Sequence, residues 1–130
     1  MAFQSSPVLD FSFKAAEDLR NYQYHFVKID ANNTVRLLDS NSELPDGVLQ
    51  NAPNAGEEAT VRILGISKVV ANAGLTVGTF VKAEFASGTD CGKAQANTNA
   101  VGLTMGRVVC AAGAEDDLCS VLLTPYVGLS

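Results

Sequence analysis

Residues 57–70 read EEATVRILGISKVV, and this stretch decides the class of fold that the sequence predicts. Ala59, Val61 and Ile63 occupy every second position, and the side chains at 60 and 62 between them are polar. An alternation of period two is typical of a β-strand that buries one face, so these three residues are candidate core positions. Gly65 interrupts the alternation, which indicates a bulge or a bend between sheets at that point.

Shorter strand-like runs lie on both sides of this stretch. Residues 22–38 are predicted to form a hairpin, because an aromatic and β-branched run ends at the turn signal Ala-Asn-Asn and a second run follows it. Further runs cover residues 75–83, 101–112 and 118–123. Turn signals roughly 8–12 residues apart favour a mainly β fold. We expect a small single-domain β-barrel, tulip-like barrel or sandwich of short antiparallel strands.

One segment, residues 13–21, is compatible with a short helix. Its apolar residues Phe13, Ala16 and Leu19 recur at three-residue intervals, and a polar residue upstream could cap the first turn. An irregular strand followed by a turn fits the same residues, so both alternatives stay open. At most one short helix is expected in the chain, near these residues.

The composition indicates one folded domain with few charges on its surface. The chain has 130 residues, of which 47% are hydrophobic and 18% are charged. This length fits a single domain over residues 1–130, with residues 1–9 as a candidate extended N-terminal arm. Soluble domains carry roughly 25% charged residues. A surface with fewer charges suits a protein that works within an assembly.

Charge and hydropathy argue against two kinds of partner. The net charge is −5 and no basic patch is present, so no nucleic-acid partner is expected. The chain has no apolar run of about 18 residues, so no membrane partner is expected. The first residues, MAFQSSP, lack the basic and apolar regions of a secretory signal, which predicts synthesis in the cytoplasm.

The cysteines do not form a recognisable metal site. Cys91, Cys110 and Cys119 include no CxxC pair, and a single histidine, His25, cannot complete a zinc set with them. In a cytosolic chain such cysteines are typically small, half-buried hydrophobic residues. Cys110 and Cys119 flank a turn and could face each other across a hairpin. No metal ligand and no cofactor is expected.

The sequence also offers no constellation for catalysis. His25 lies between aromatic residues with no acid nearby to orient it, which favours a structural role. The acidic triplet at residues 115–117 lacks the alternating ligands of a calcium loop and is predicted to be a solvated turn. Neither a phosphate-cradling glycine motif nor a GxSxG nucleophile motif is present. We therefore predict a protein that is not an enzyme, with no catalytic or cofactor-binding residues.

Six short motifs follow one another along the chain: GVLQNAP at 47–53, GEEATV at 56–61, GISKVV at 65–70, GLTVGTFV at 74–81, GKA at 92–94 and DLCSVLLTP at 117–125. Their order resembles that of a known family, the small capsid decoration ("cement") proteins of tailed bacteriophages. The resemblance covers about residues 15–126, and the order and spacing of the motifs carry it more than any one of them. One departure is the cysteine at position 91, where a plain Asp/Gly turn is expected.

The resemblance implies a fold, a location and a set of partners. The fold would be a β-rich barrel or tulip-like domain, commonly a homotrimer. The protein would be a virion component that binds the outer surface of the mature head and stabilises the shell at junctions between major capsid protein subunits. The family has no motif of catalytic residues to transfer to this chain.

Two alternatives to a decoration protein stay open at the level of sequence. One is another structural component of the virion, such as a subunit of a tail tube or a spike. The other is a β-barrel that binds a small ligand or a carbohydrate. Such a barrel would present aromatic residues in a groove, whereas alternation is expected to send Tyr22, Tyr24 and Phe26 to one face of a strand, towards the core.

The N-terminal segment is the candidate capsid-binding site. It carries no charge and no periodic pattern, so a packed core gains little from it. An extended terminus of this kind can lie on a neighbouring protein as an additional strand, with its apolar side chains in shallow pockets. The candidate residues are Ala2, Phe3, Gln4, Ser5, Ser6, Pro7 and Val8.

Overall fold

The computed structural model describes residue 2 and residues 8–40, 43–98 and 104–127, the last four without their side chains. The described residues form nine strands and contain no helix, which confirms the predicted mainly β fold. The strands are β1 (Leu9–Ala15), β2 (Phe26–Ile29), β3 (Thr34–Arg36), β4 (Gly47–Leu49), β5 (Glu58–Val70), β6 (Phe80–Phe85), β7 (Cys91–Ala96), β8 (Thr104–Cys110) and β9 (Leu118–Val127).

The first five strands close into a barrel. Their hydrogen-bonded order is β1-β3-β2-β4-β5, and β1 also pairs with β5, which joins the two ends of the sheet. The β1–β3 pairing is parallel and short, whereas the other pairings in the barrel are antiparallel. The predicted barrel of short strands is therefore confirmed.

The long strand β5 belongs to two sheets. Its first half pairs with β1 and β4, and from Gly65 onward it pairs with β9, in a sheet that continues through β8 and β6 to β7. Gly65 has a φ of 106°, a backbone conformation that glycine adopts readily, so the predicted bend between sheets lies at this residue. An isolated bridge between Ala71 and Ala94 ties the chain after β5 to β7.

Two hydrophobic clusters fill the molecule: one lies mainly in the barrel, and the other joins Phe26 and Val48 of the barrel to the second sheet. Val61 is fully buried in the barrel cluster, and Val121 and Leu123 are buried in the cluster of the second sheet. Ile63 is half-buried and contacts the barrel cluster from its margin. A register shift between Leu9 and Asp10 leaves Ile63 without a residue opposite it on β1, which accounts for its incomplete burial.

The predicted hairpin forms, but its first strand is shorter than the aromatic run. β2 and β3 pair through Lys28 with Arg36 and through Ile29 with Val35. The strand begins only at Phe26, because Tyr24 adopts a positive φ of 64° that an extended strand does not allow. The expectation that three alternating aromatic residues share one face was therefore wrong.

Residues 13–21 are a strand end followed by turns, the second of the two alternatives that the sequence left open. β1 extends to Ala15, and Phe13 lies opposite Ala59 of β5. Leu19 is fully buried, and its N–H donates to the carbonyl of Pro53 at 2.9 Å. Pairing across the barrel thus satisfies backbone groups that a helix would have used internally.

Candidate functional site

A polar pocket of about 380 Å³ lies where three distant parts of the chain meet. These parts are the loop between β1 and β2, the start of β7 and the turn between β8 and β9. The ionisable side chains in its wall are Tyr22, His25, Asp90, Cys91, Lys93 and Asp116. We call it the His25 pocket.

His25 is the buried polar group of this pocket. The residue is only 8% exposed. Its ring packs against the Tyr22 ring in a T-shaped contact, with ring centroids 5.3 Å apart. Burial lowers the pKa of His25, so the ring is neutral at pH 7. Its Nδ1 lies 3.1 Å from the carbonyl oxygen of Gln23, which can only accept, so Nδ1 carries the proton. Nε2 is then a hydrogen-bond acceptor.

Lys93 lies in the same pocket and is held by the acidic turn. Its Nζ is 2.7 Å from a carboxylate oxygen of Asp116 and 3.8 Å from one of Glu115. The hydrogen bond from Lys93 to Asp116 raises the pKa of the lysine. The triplet at 115–117 is exposed, as predicted for a solvated turn, and the sequence did not show that it also holds this lysine.

Glu84 and Asp90 form a pair of carboxyl groups at the edge of the pocket. Burial and the neighbouring charge of Asp90 raise the pKa of Glu84. Within the described part of the chain, one carboxyl oxygen of Glu84 is buried without a hydrogen-bond partner. The described residues contain no group of three or more His, Cys, Asp or Glu that could hold a metal ion.

Cys91, Cys110 and Cys119 form no disulfide bond with one another. Cys91 and Cys119 are buried and Cys110 is half-buried, in agreement with their interpretation as small hydrophobic residues. Burial raises the pKa of the Cys91 thiol and that of Cys119, the latter to about 11, so neither is a ready nucleophile. Cys110 lies opposite Ser120 rather than Cys119 in the β8–β9 register.

A second surface feature is an apolar strip at one end of the barrel. Leu9, Phe11 and Leu64 are 40%, 43% and 42% exposed, and Leu9 lies directly opposite Leu64. We call these three residues the β1 strip. Of the predicted capsid-binding residues, Phe3, Gln4, Ser5, Ser6 and Pro7 lie outside the described residues; Ala2 and the half-buried Val8 are described and belong to no strand.

The β1 strip lies beside an unpaired strand edge. The N–H of Ala15 donates to Glu57 and its carbonyl accepts from Gly56, so alternate residues of β1 point their backbone groups towards β5. The backbone groups of Asp10 and Ser12 therefore point the other way. Among the described strands, β3 covers that edge only at Lys14 and Ala15. An extended segment of another protein could pair with β1 there.

Comparison with known proteins shows a likeness of structure and none of sequence. The sequence matches no family model and no curated protein. The structure is similar to the crystal structure of the N base of the head fiber gp8.5 of bacteriophage phi29, with a TM-score of 0.69 and 18% sequence identity. The likeness covers 95% of this chain and 99% of that chain. The two proteins share a fold. No helix among the described residues is long and apolar enough to span a membrane.

Proposed function

We propose that this protein is a structural, non-enzymatic component of a phage head, bound to the outer surface of the mature shell. The observation that carries the proposal is the fold shared over 95% of the chain with the base of a phage head fiber. The motif order that resembles capsid decoration proteins supports the same conclusion independently. An acidic protein is well placed outside the shell, away from the packaged nucleic acid.

The proposed role is to stabilise the shell at junctions between major capsid protein subunits. A protein that binds the expanded shell and not the unexpanded one stabilises the expanded state by mass action. A homotrimer would bind more strongly still, because its second and third contacts become intramolecular once the first has formed. We include this trimer in the proposal.

We place the contact with the shell at the β1 strip and at residues 2–8, which precede β1 along the chain. The open edge at Asp10 and Ser12 offers backbone groups to a short extended segment of the major capsid protein. The apolar side chains beside the edge would be covered by that segment. The β1 strip exposes far less area than the roughly 800 Å² that each partner buries in a stable dimer. A second copy of this chain is therefore a poorer partner for the strip than a shell, which offers several contacts at once.

The proposed role predicts that heads carrying the protein rupture at a higher temperature than heads from which it has been removed. The measurement is thermal release of DNA, followed with an intercalating dye, on matched preparations with and without added protein. Equal rupture temperatures at saturating protein would contradict stabilisation. Electron microscopy of the same mixtures shows whether the protein sits on heads, and binding to tails alone would contradict the proposed location.

The proposed contact predicts weaker binding by the double variant Leu9→Ser/Leu64→Ser. Loss of the apolar contact area should cost on the order of 1–2 kcal/mol, or about 5–30-fold in affinity for expanded heads. Both side chains are exposed, so the melting temperature should stay close to that of the parent protein. A deletion of residues 2–8 should likewise weaken binding and leave the fold intact.

The matched control is Val77→Ser/Phe80→Ser, which removes two exposed apolar side chains at the start of the second sheet. This variant should bind heads with parental affinity. Equal affinities for the parent and the Leu9→Ser/Leu64→Ser variant would place the contact elsewhere on the molecule.

A further inference from the structure

We propose that the His25 pocket binds a neutral, hydroxyl-rich ligand, a single sugar unit in free form or at the end of a glycan. The pocket shares no residue with the β1 strip, so the proposal goes beyond head binding and does not depend on it. Its volume of about 380 Å³ lies within the range of roughly 300–1,000 Å³ of small-molecule sites.

His25 presents a hydrogen-bond acceptor, Nε2, in the wall of this pocket. This residue is more than nine-tenths buried, and its Nδ1–H donates a hydrogen bond to the carbonyl oxygen of Gln23. Its Nε2 has no protein partner among the described residues, and the ring is part of the pocket wall. This nitrogen is not among the described buried atoms that lack a partner, so it is open to the pocket, where a ligand hydroxyl can donate to it.

Hydrogen-bond donors and acceptors are mixed around Nε2 of His25. An ammonium group has three protons, and Lys93 donates one of them to Asp116 at 2.7 Å, whereas Glu115 lies 3.8 Å away, beyond hydrogen-bond distance. The amide of Asn21 and the carboxylate of Asp90 add a further donor and a further acceptor to the wall. Neighbouring hydroxyls of a sugar can donate to one such group and accept from the next.

The charge of the pocket selects against ionic ligands. Lys93 is balanced by Asp116, and Asp90 adds a negative charge, so a phosphate or carboxylate would be repelled. A cationic ligand would compete with Lys93 for the same carboxylate. The half-buried ring of Tyr22 provides an apolar wall, and its hydroxyl is fixed by a 2.8 Å hydrogen bond to the carbonyl of Thr89. A neutral ring with polar and apolar faces fits these surroundings best.

The test is an NMR titration of the isolated, isotope-labelled protein with methyl glycosides of glucose, galactose and N-acetylglucosamine. At least one should shift the backbone signals of His25, Asp90 and Lys93 saturably, with a dissociation constant in the millimolar range. Inorganic phosphate and N-acetyl-lysine methylamide serve as the anionic and cationic probes. Tighter binding of either of these, or no saturable shift with any glycoside up to about 50 mM, would overturn the proposal.

Two variants assign the binding to the pocket. His25→Phe keeps an aromatic ring and removes the acceptor, and Asn21→Ala removes an exposed donor that the fold does not need. Each should raise the dissociation constant at least fivefold, whereas Val77→Ala should not change it. Parental affinity in both pocket variants would overturn the assignment. His25→Phe should still bind expanded heads, so failure of sugar binding and failure of head binding are distinguishable.

Discussion

Gly92→Ala should destabilise the protein strongly, by several kcal/mol, and we expect it to be among the most damaging single-methyl additions in the chain. Gly92 has a φ of +90°, which L side chains rarely adopt. A Cβ built there would lie 2.6 Å from the carbonyl oxygen of Phe26 and 3.1 Å from the Cβ of His25. Backbone strain of about 1–3 kcal/mol therefore adds to a steric clash that can be relieved only by moving β7 away from β2.

Gly78→Ala is the matched control for this prediction. Gly78 has a similar φ of +94°, but a Cβ built on it meets no atom within 4 Å. The variant should therefore lose only the backbone contribution, about 1–3 kcal/mol, without the added steric clash. Urea denaturation of the two variants and the parent measures both effects. Equal free energies of unfolding for Gly92→Ala and Gly78→Ala would show that β7 does not approach β2 as closely as described.

Phe26→Ala should cost about 3–5 kcal/mol of folding stability. Phe26 is fully buried and belongs to the cluster that includes Val48 of the barrel and Val69 and Val121 of the second sheet. Truncation removes its transfer free energy and leaves a cavity that rigid strands on both sides cannot close. The loss should appear in chemical denaturation as a lower midpoint with an unchanged m-value.

The control is the same substitution at an exposed phenylalanine. Phe80 is 41% exposed at the start of β6, so Phe80→Ala should cost much less than Phe26→Ala. If the two variants unfolded at the same denaturant concentration, the central position of Phe26 in the core would be wrong.

Local sequence patterns predicted the parts of the fold that depend on local chemistry. The alternation at Val61 predicted a buried strand face, and the glycine at 65 predicted the bend between sheets. The same reasoning failed at Ile63, since the bulge at this residue is set by the register of β1, a strand far away in sequence. It also failed at Tyr24, whose positive φ is enforced by hydrogen bonds of its backbone with Leu49 and Val70.

The candidate sites were less accessible to sequence reasoning, for a related reason. His25 was correctly interpreted as lacking an acid nearby in the sequence, yet the fold brings Lys93 and Asp116 to it from two other loops. The sequence did not predict the β1 strip, because residues 13–21 were compatible with a helix. Leu9 and Phe11 become neighbours on an open strand edge only once β1 pairs with β5. The exposed acidic turn was predictable, and its ion pair with Lys93 was not.

The continuity of β5 through both sheets has a mechanical consequence. A force that pulls on the barrel end of the molecule is passed along one covalent backbone into the second sheet. There it meets six consecutive residue pairs between β5 and β9, from Gly65 opposite Leu123 to Val70 opposite Leu118. A force parallel to these strands loads all of their hydrogen bonds together in shear, whereas a perpendicular force would open them one after another. β5 therefore makes the protein resistant to extension along the direction of this strand.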